Sequence, residues 1–124
     1  MRLFRLNVEV ADIGAAAAFY ETLLGLEARP QAGARVYVTA GDVTMQIVQV
    51  PAPQVAAKAL YFAVADLDAV HARARDLGCL SDETVHGEPG GEPLVRPWGE
   101  RSFYAQDPSG NPLCFVDQGT IYAG

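Results

Sequence analysis

Leu6-Asn7-Val8-Glu9-Val10-Ala11-Asp12-Ile13 returns 54 residues later as Leu60-Tyr61-Phe62-Ala63-Val64-Ala65-Asp66-Leu67. Leu, Val, Ala and Asp are identical at matching places, and the other apolar positions correspond. A helical stretch follows each copy, the first ending in Leu24-Gly25 and the second in Leu77-Gly78. The chain therefore reads as two similar halves within one domain of 124 residues, because self-similarity at a fixed period marks a repeated structural unit. The halves run from about 1 to 51 and from about 58 to 120, joined near Pro51-Ala52-Pro53-Gln54.

Each half opens with a strand. Phe4, Leu6, Val8 and Val10 alternate with Arg5, Asn7 and Glu9, the period of two that separates the faces of a sheet. Asp12 stands where a helix N-cap belongs. Ala16, Phe19, Tyr20, Leu23 and Leu24 form an apolar helical stripe, and Gly25 is a C-terminal stop that reaches positive φ cheaply. In the second half Leu60, Phe62 and Val64 alternate with Ala59, Tyr61 and Ala63. Asp66 caps the next helix, Leu67, Val70, Ala74 and Leu77 give its stripe, and Gly78 ends it. The apolar strand faces are expected to pack under these helices, leaving Arg5, Asn7 and Glu9, and Ala59, Tyr61 and Ala63, on the opposite sides.

Further strands are expected at about Glu27–Pro30, Arg35–Ala40 and Val43–Val50, then at Thr84–His86, Arg101–Gln106 and Pro112–Asp117. Asp107-Pro108-Ser109-Gly110-Asn111 is a hairpin turn: Pro presets one dihedral, Gly supplies positive φ, and Asp and Asn bond local backbone. Gly87–Pro93 reads as a mobile loop. The fold class is thus α+β, with two βαβββ units whose curved mixed sheets enclose a concave cleft suited to a small ligand.

Composition narrows the function. Half of the residues are apolar, enough for a core, and the net charge is −6. That balance argues against nucleic acid, which needs a basic patch, and by steering it favours a cationic ligand. No apolar stretch approaches the roughly 20 residues of a membrane helix, and no signal peptide is evident. The two cysteines, Cys79 and Cys114, make neither a disulfide framework nor a metal-spacing motif. A reduced, cytoplasmic location is expected.

Val10-Ala11-Asp12 leading into Phe19-Tyr20 and Leu24-Gly25-Leu26, then Pro97-Trp98-Gly99, Phe103-Tyr104 and Asp107-Pro108-Ser109-Gly110-Asn111 before an apolar strand, occur here in order over an internal repeat. Together they resemble the glyoxalase/bleomycin-resistance/dioxygenase (vicinal oxygen chelate) superfamily, most closely its bleomycin-resistance-like branch. The resemblance covers almost the whole chain. It implies the paired βαβββ fold and commonly a homodimer. Fold alone implies no chemistry.

Enzymes of that superfamily hold a divalent metal, which acts as a Lewis acid on vicinal oxygens, through His, Gln or Glu on the first and fourth strands of each unit. Carried onto this chain, the four places fall on Arg5, Gln46, Ala59 and Cys114. Arginine is a cation with no lone pair to give, and alanine has no donor. A catalytic metal normally needs about three protein ligands, so no metal or other cofactor is expected. His71 and His86 lie on different elements and read as ordinary surface or half-buried residues. Cys79 reads as a small buried hydrophobe.

What remains describes a binding face. Arg5, Asn7, Glu9 and Gln46 offer charge and hydrogen bonds, with Arg5 available to Glu9 or to an anionic ligand. Tyr61 and Tyr104 offer amphipathic walls, with Cys114 among them. Trp98 is a stacking candidate, and Arg96 beside it would clamp a ligand or solvate the loop. The expected function is non-metal binding of a small drug or metabolite, as in antibiotic resistance by sequestration. One alternative is a glyoxalase-type lyase or isomerase acting on a small carbonyl compound, with Glu9 as candidate base. The other is an interaction or regulatory module.

Overall fold

The computed structural model describes Met1–Gly124. The chain divides into two compact units, Met1–Ala57 with Asp107–Asn111, and Lys58–Gln106 with Pro112–Gly124.

The first unit contains β1 (Arg5–Val10), α1 (Ile13–Leu24), β2 (Arg29–Gln31), β3 (Arg35–Ala40) and β4 (Val43–Gln49). Its sheet has the order β1-β4-β3-β2, with β1 parallel to β4 and the other neighbours antiparallel. Asp12 caps α1 by accepting the Ala15 N–H at 3.0 Å. Gly25 closes it at φ 68°, donating its N–H to the Glu21 carbonyl, a conformation that costs glycine little. The helix buries Ala16, Phe19, Tyr20 and Leu23. The sheet contributes Val8, Val10, Val36, Val38, Met45 and Ile47 to the same core. Burying each large side chain contributes about 1.5–3 kcal/mol.

The second unit contains β5 (Leu60–Val64), α2 (Leu67–Asp76), β6 (Thr84–Val85), β7 (Glu88–Pro89), β8 (Leu94–Val95), β9 (Arg101–Gln106) and β10 (Pro112–Asp117). Its main sheet repeats the first pattern, β5-β10-β9-β8, again with a parallel first pair. Asp66 caps α2 through the Ala69 N–H at 3.0 Å. Phe62, Phe115 and Phe103 stack across neighbouring strands at 5.3 and 5.2 Å, and His71 of α2 sets its ring edge-on to Phe103 at 5.0 Å. Leu77 is not part of the buried stripe: it is the C-cap residue and lies exposed.

Two expectations for this half need correction. Thr84–Val85 does not join the main sheet but pairs with Glu88–Pro89. The turn between them holds His86 at φ 51° and Gly87 at φ 78°, a tight hairpin of the hand that matches strand twist, and it uses up the pairing groups of the segment. Leu94–Val95 takes the outer place against Arg101 and Ser102 instead. The Gly87–Pro93 stretch is also pinned rather than free. Gly90 accepts from the Tyr104 N–H at 2.8 Å and donates to Glu83 at 2.8 Å. A Cβ at Gly91 would stand 2.5 Å from the Ser81 carbonyl oxygen, so only glycine permits this approach.

The turn Asp107–Asn111 carries a buried polar network inside the first unit. Tyr20 donates its hydroxyl to Asp107 at 2.8 Å. The Asn111 side chain donates to the same carboxylate oxygen at 2.8 Å and to the Glu9 carbonyl at 2.9 Å, and accepts from the Ala56 N–H at 2.9 Å. Burial, followed by the Asp107 charge, pushes the Tyr20 phenol far above its ordinary range, so it stays a donor. Removing one member strands the others in a dry environment, where an unmade hydrogen bond is expensive. Asn111→Ala is expected to cost about 2–4 kcal/mol in urea unfolding. Ser109→Ala, which removes one exposed bond to the Ala11 N–H, is expected to cost about 0.5 kcal/mol.

Candidate functional site

Both sheets carry their chemistry on the face away from their own helix, and strand register decides which residues share it. In the first unit Asn7 stands opposite Gln46, and Gln46 opposite Tyr37. In the second, Tyr61 stands opposite Cys114, and Cys114 opposite Tyr104. These are the same three places of the repeated sheet.

In the first triplet a chain of hydrogen bonds runs through Gln46. The Gln46 carbonyl accepts from the Tyr37 hydroxyl at 3.1 Å and from Arg35 Nη1 at 3.1 Å, while its amide donates to Asn7 at 2.7 Å. The guanidinium of Arg5 lies 5.2 Å from the Tyr37 ring centre and 5.2 Å from that of Phe4, within cation–π range. Thr39 accepts from Arg29 at 2.8 Å and bonds Thr44 at 2.9 Å. Glu9 lies on the same face, but its Oε1 accepts from the Gln54 N–H at 2.9 Å, which ties it to the segment after β4. It makes no ion pair with Arg5.

The second triplet is drier. Cys114 is fully buried. Burial pushes its thiol up to about 11, opposed by hydrogen bonding to Tyr104 and Ser102 and by the Arg96 charge. The Tyr61 and Tyr104 hydroxyls lie 3.5 Å apart. Burial above all, then the bond to Tyr61, raises the Tyr104 phenol well beyond its ordinary value. Arg96, only 3% exposed, lies 5.5 Å from the Tyr104 ring centre. It donates Nε to the Ser102 hydroxyl and Nη2 to the carbonyls of Gly90, Glu92 and Ser102. Nη1 is buried without a hydrogen-bond partner. A tyrosine ring thus carries a guanidinium at the same place in both units.

Trp98 sits apart, in the turn between β8 and β9. Its indole N–H donates to Glu100 at 2.6 Å and its ring meets His86 edge-on at 5.1 Å. Of the residues expected from sequence, the structure brings Arg5, Asn7 and Gln46 together on one sheet and Tyr61, Tyr104 and Cys114 together on the other. Arg29, Arg35, Tyr37 and Thr39 carry no binding expectation from the sequence, and Arg96, expected to clamp a ligand or solvate the loop, is instead buried on the backbone carbonyls of Gly90, Glu92 and Ser102. The alternation of Arg35-Val36-Tyr37-Val38-Thr39 carries the signal for three of them. Nothing local marks Arg96 as buried.

The four places at which the superfamily holds metal do not make a cage here. Arg5 and Ala59 have no lone pair to donate. The Gln46 oxygen is taken by two donors, and the Cys114 thiol holds its proton to about 11. No group of three or more His, Cys, Asp and Glu side chains is placed to hold a metal ion.

A glyoxalase-like domain model matches residues 5–116, and the chain belongs to this family, within the glyoxalase/bleomycin-resistance superfamily. Among solved structures it is similar to one titled Oxidase ChaP-H2, with a TM-score of 0.80 and 26% identity over 100% of this chain and 97% of that one. A glyoxalase/bleomycin resistance protein from Albidiferax ferrireducens T118 shares the fold at TM-score 0.75 and 22% identity, covering 93% and 97% of the two chains. The bleomycin resistance determinant encoded on transposon Tn5 does so at 0.71 and 18%, covering 94% and 98%. No curated protein sequence matches significantly. No helix is long and apolar enough to cross a membrane.

The Cys114 thiol gives a pH test. Its folded value of about 11 exceeds the ordinary 9.0, so the unfolded chain loses this proton first as pH rises. The contribution is complete below pH 9 and declines as pH passes from 9 to about 11. Urea midpoints at pH 8, 9.5 and 10.5 are expected to fall more steeply for the native protein than for Cys114→Ala. Equal slopes would show that the thiol ionises freely when folded.

Proposed function

We propose that this protein binds a small organic molecule on the helix-free faces of its sheets, without a bound metal, as a sequestering or carrier member of the glyoxalase-like family. One observation carries the reading: the places that serve metal in relatives hold Arg5, Gln46, Ala59 and Cys114, while Tyr37, Tyr61, Tyr104 and Asn7 stand around them on the two sheets. These side chains stack and hydrogen-bond, which is what recognition of a mostly apolar ligand with few polar groups requires. A homodimer, in keeping with the family resemblance, is part of the proposal.

The test starts with protein prepared without chelating resin and dialysed against nickel, zinc, iron(II) or manganese. Metal analysis is expected to find none at one-to-one ratio. A thermal-shift screen of small aromatic and carbonyl compounds is then expected to yield ligands that raise Tm. Tight stoichiometric metal would reverse the proposal.

A second reading is an oxidase. The likeness to Oxidase ChaP-H2, and to Oxidase ChaP-H1 at TM-score 0.80 and 26% identity, favours it over the lyase. Oxygen uptake by the protein with a compound from the screen, with and without added iron(II), separates an oxidase from a carrier.

A further inference from the structure

We propose that the helix-free face of the first sheet recognises an anion, with Arg5, Arg29 and Arg35 gripping the carboxylate or phosphate of a small organic acid around Tyr37. The inference rests on the ligand-binding reading above and names the class of ligand.

Three of the nine Lys and Arg residues in the chain lie on this one face. Arg29 stands directly opposite Tyr37 on the neighbouring strand, where cross-strand Cβ atoms are about 5 Å apart. Arg35 is two residues before Tyr37 on the same strand, about 7 Å along the same face. The Arg5 guanidinium lies 5.2 Å from the Tyr37 ring centre. One guanidinium thus lies by the Tyr37 ring, that of Arg35 donates to the same Gln46 oxygen as the Tyr37 hydroxyl, and that of Arg29 is held on Thr39 of the same strand face.

None of the three is neutralised. The ion pairs of the protein are Arg75–Asp76 and Arg101–Asp68, both in the second unit. Glu9 is the one acid among the strand residues of this face, and it is engaged with Gln54. The chain as a whole has an excess of acids, 15 Asp and Glu against 9 Lys and Arg, so a face with three arginines and one carboxylate is not a sample of the average surface.

Donors remain as well as charge. A guanidinium has five N–H groups. Arg35 uses Nε on the Ala32 carbonyl and Nη1 on Gln46. Arg29 uses Nη2 on Thr39, and Arg5 makes no hydrogen bond. Those bonds orient the forks without consuming them, and a planar fork suits the paired oxygens of a carboxylate or phosphate. The overall charge points toward a cationic ligand, but at the distances of contact the nearest charges dominate, since salt screens the remainder beyond about 8–10 Å.

The test compares four probes on one naphthalene frame: 1-naphthoate, 1-naphthyl phosphate, methyl 1-naphthoate and 1-naphthylmethylammonium. Titration calorimetry on the full chain is expected to show one or both anions binding about tenfold or more tighter than the ester and the ammonium, and weakening with salt. Preference between the two anions separates carboxylate from phosphate. Arg5→Gln, Arg29→Gln and Arg35→Gln are each expected to weaken the anion about five- to tenfold. Arg75→Gln, on α2, is expected to leave it unchanged. Circular dichroism confirms that each variant is folded. Equal binding of ester and anion, or loss unaffected by these three arginines, would overturn the anion assignment while leaving a ligand-binding protein. No binding by any probe would overturn both.

Discussion

The pleat of the β-sheet is the constraint on which the rest depends. Successive side chains on a strand point to opposite faces, and each sheet here has one face committed to its own helix. Once Val8 and Val10 are buried with Tyr20 and Leu23, Asn7 and Glu9 have no choice of side. A register slip of one residue would bring Arg5, Asn7 and Glu9 under the helix and expose the apolar set. The helix-free face is therefore set by the packing of the core behind it, and the two cannot be altered independently.

The repeat places the same three positions in both sheets but fills them differently. Asn7, Gln46 and Tyr37 form an amide–phenol network that the Arg35 guanidinium joins at Gln46. Tyr61, Cys114 and Tyr104 form a buried thiol beside two phenols. At these places the chain presents donors, π-faces and positive charge.

Polar groups are also buried, and apart from Arg96 Nη1 they have hydrogen-bond partners. Asp107 and Asn111 belong by sequence to the β9–β10 hairpin, yet they bond Tyr20, Glu9 and Ala56 in the first unit. Arg96 bonds the loop that carries Gly90 and Glu92, and with it ties that loop to β9. Such residues sit inside at little net cost only when their hydrogen bonds are made, and that makes the turn and the loop well-defined parts of the fold.

The sequence by itself determined the element types, the repeat, the helix caps and the faces of the long strands. All of these follow from short-range rules: period two, period near 3.6, Asp before a helix, Gly after it. It also places Arg5 and Ala59, neither of which has a lone pair to donate, at two of the four positions that the resemblance implies for metal ligands. What it did not show depends on pairing between distant segments. Thr84–Val85 and Leu94–Val95 have similar local character, and only the competition between a tight His86-Gly87 turn and the edge of β9 decides which one enters the sheet. Arg29 and Arg35 follow Arg5 by 24 and 30 residues in the chain; bringing all three onto one face with Tyr37 needs the register of four strands. Burial of Arg96 likewise needs three carbonyls and a hydroxyl delivered from two segments. Local rules state which way a side chain points, and tertiary pairing alone states what it meets there.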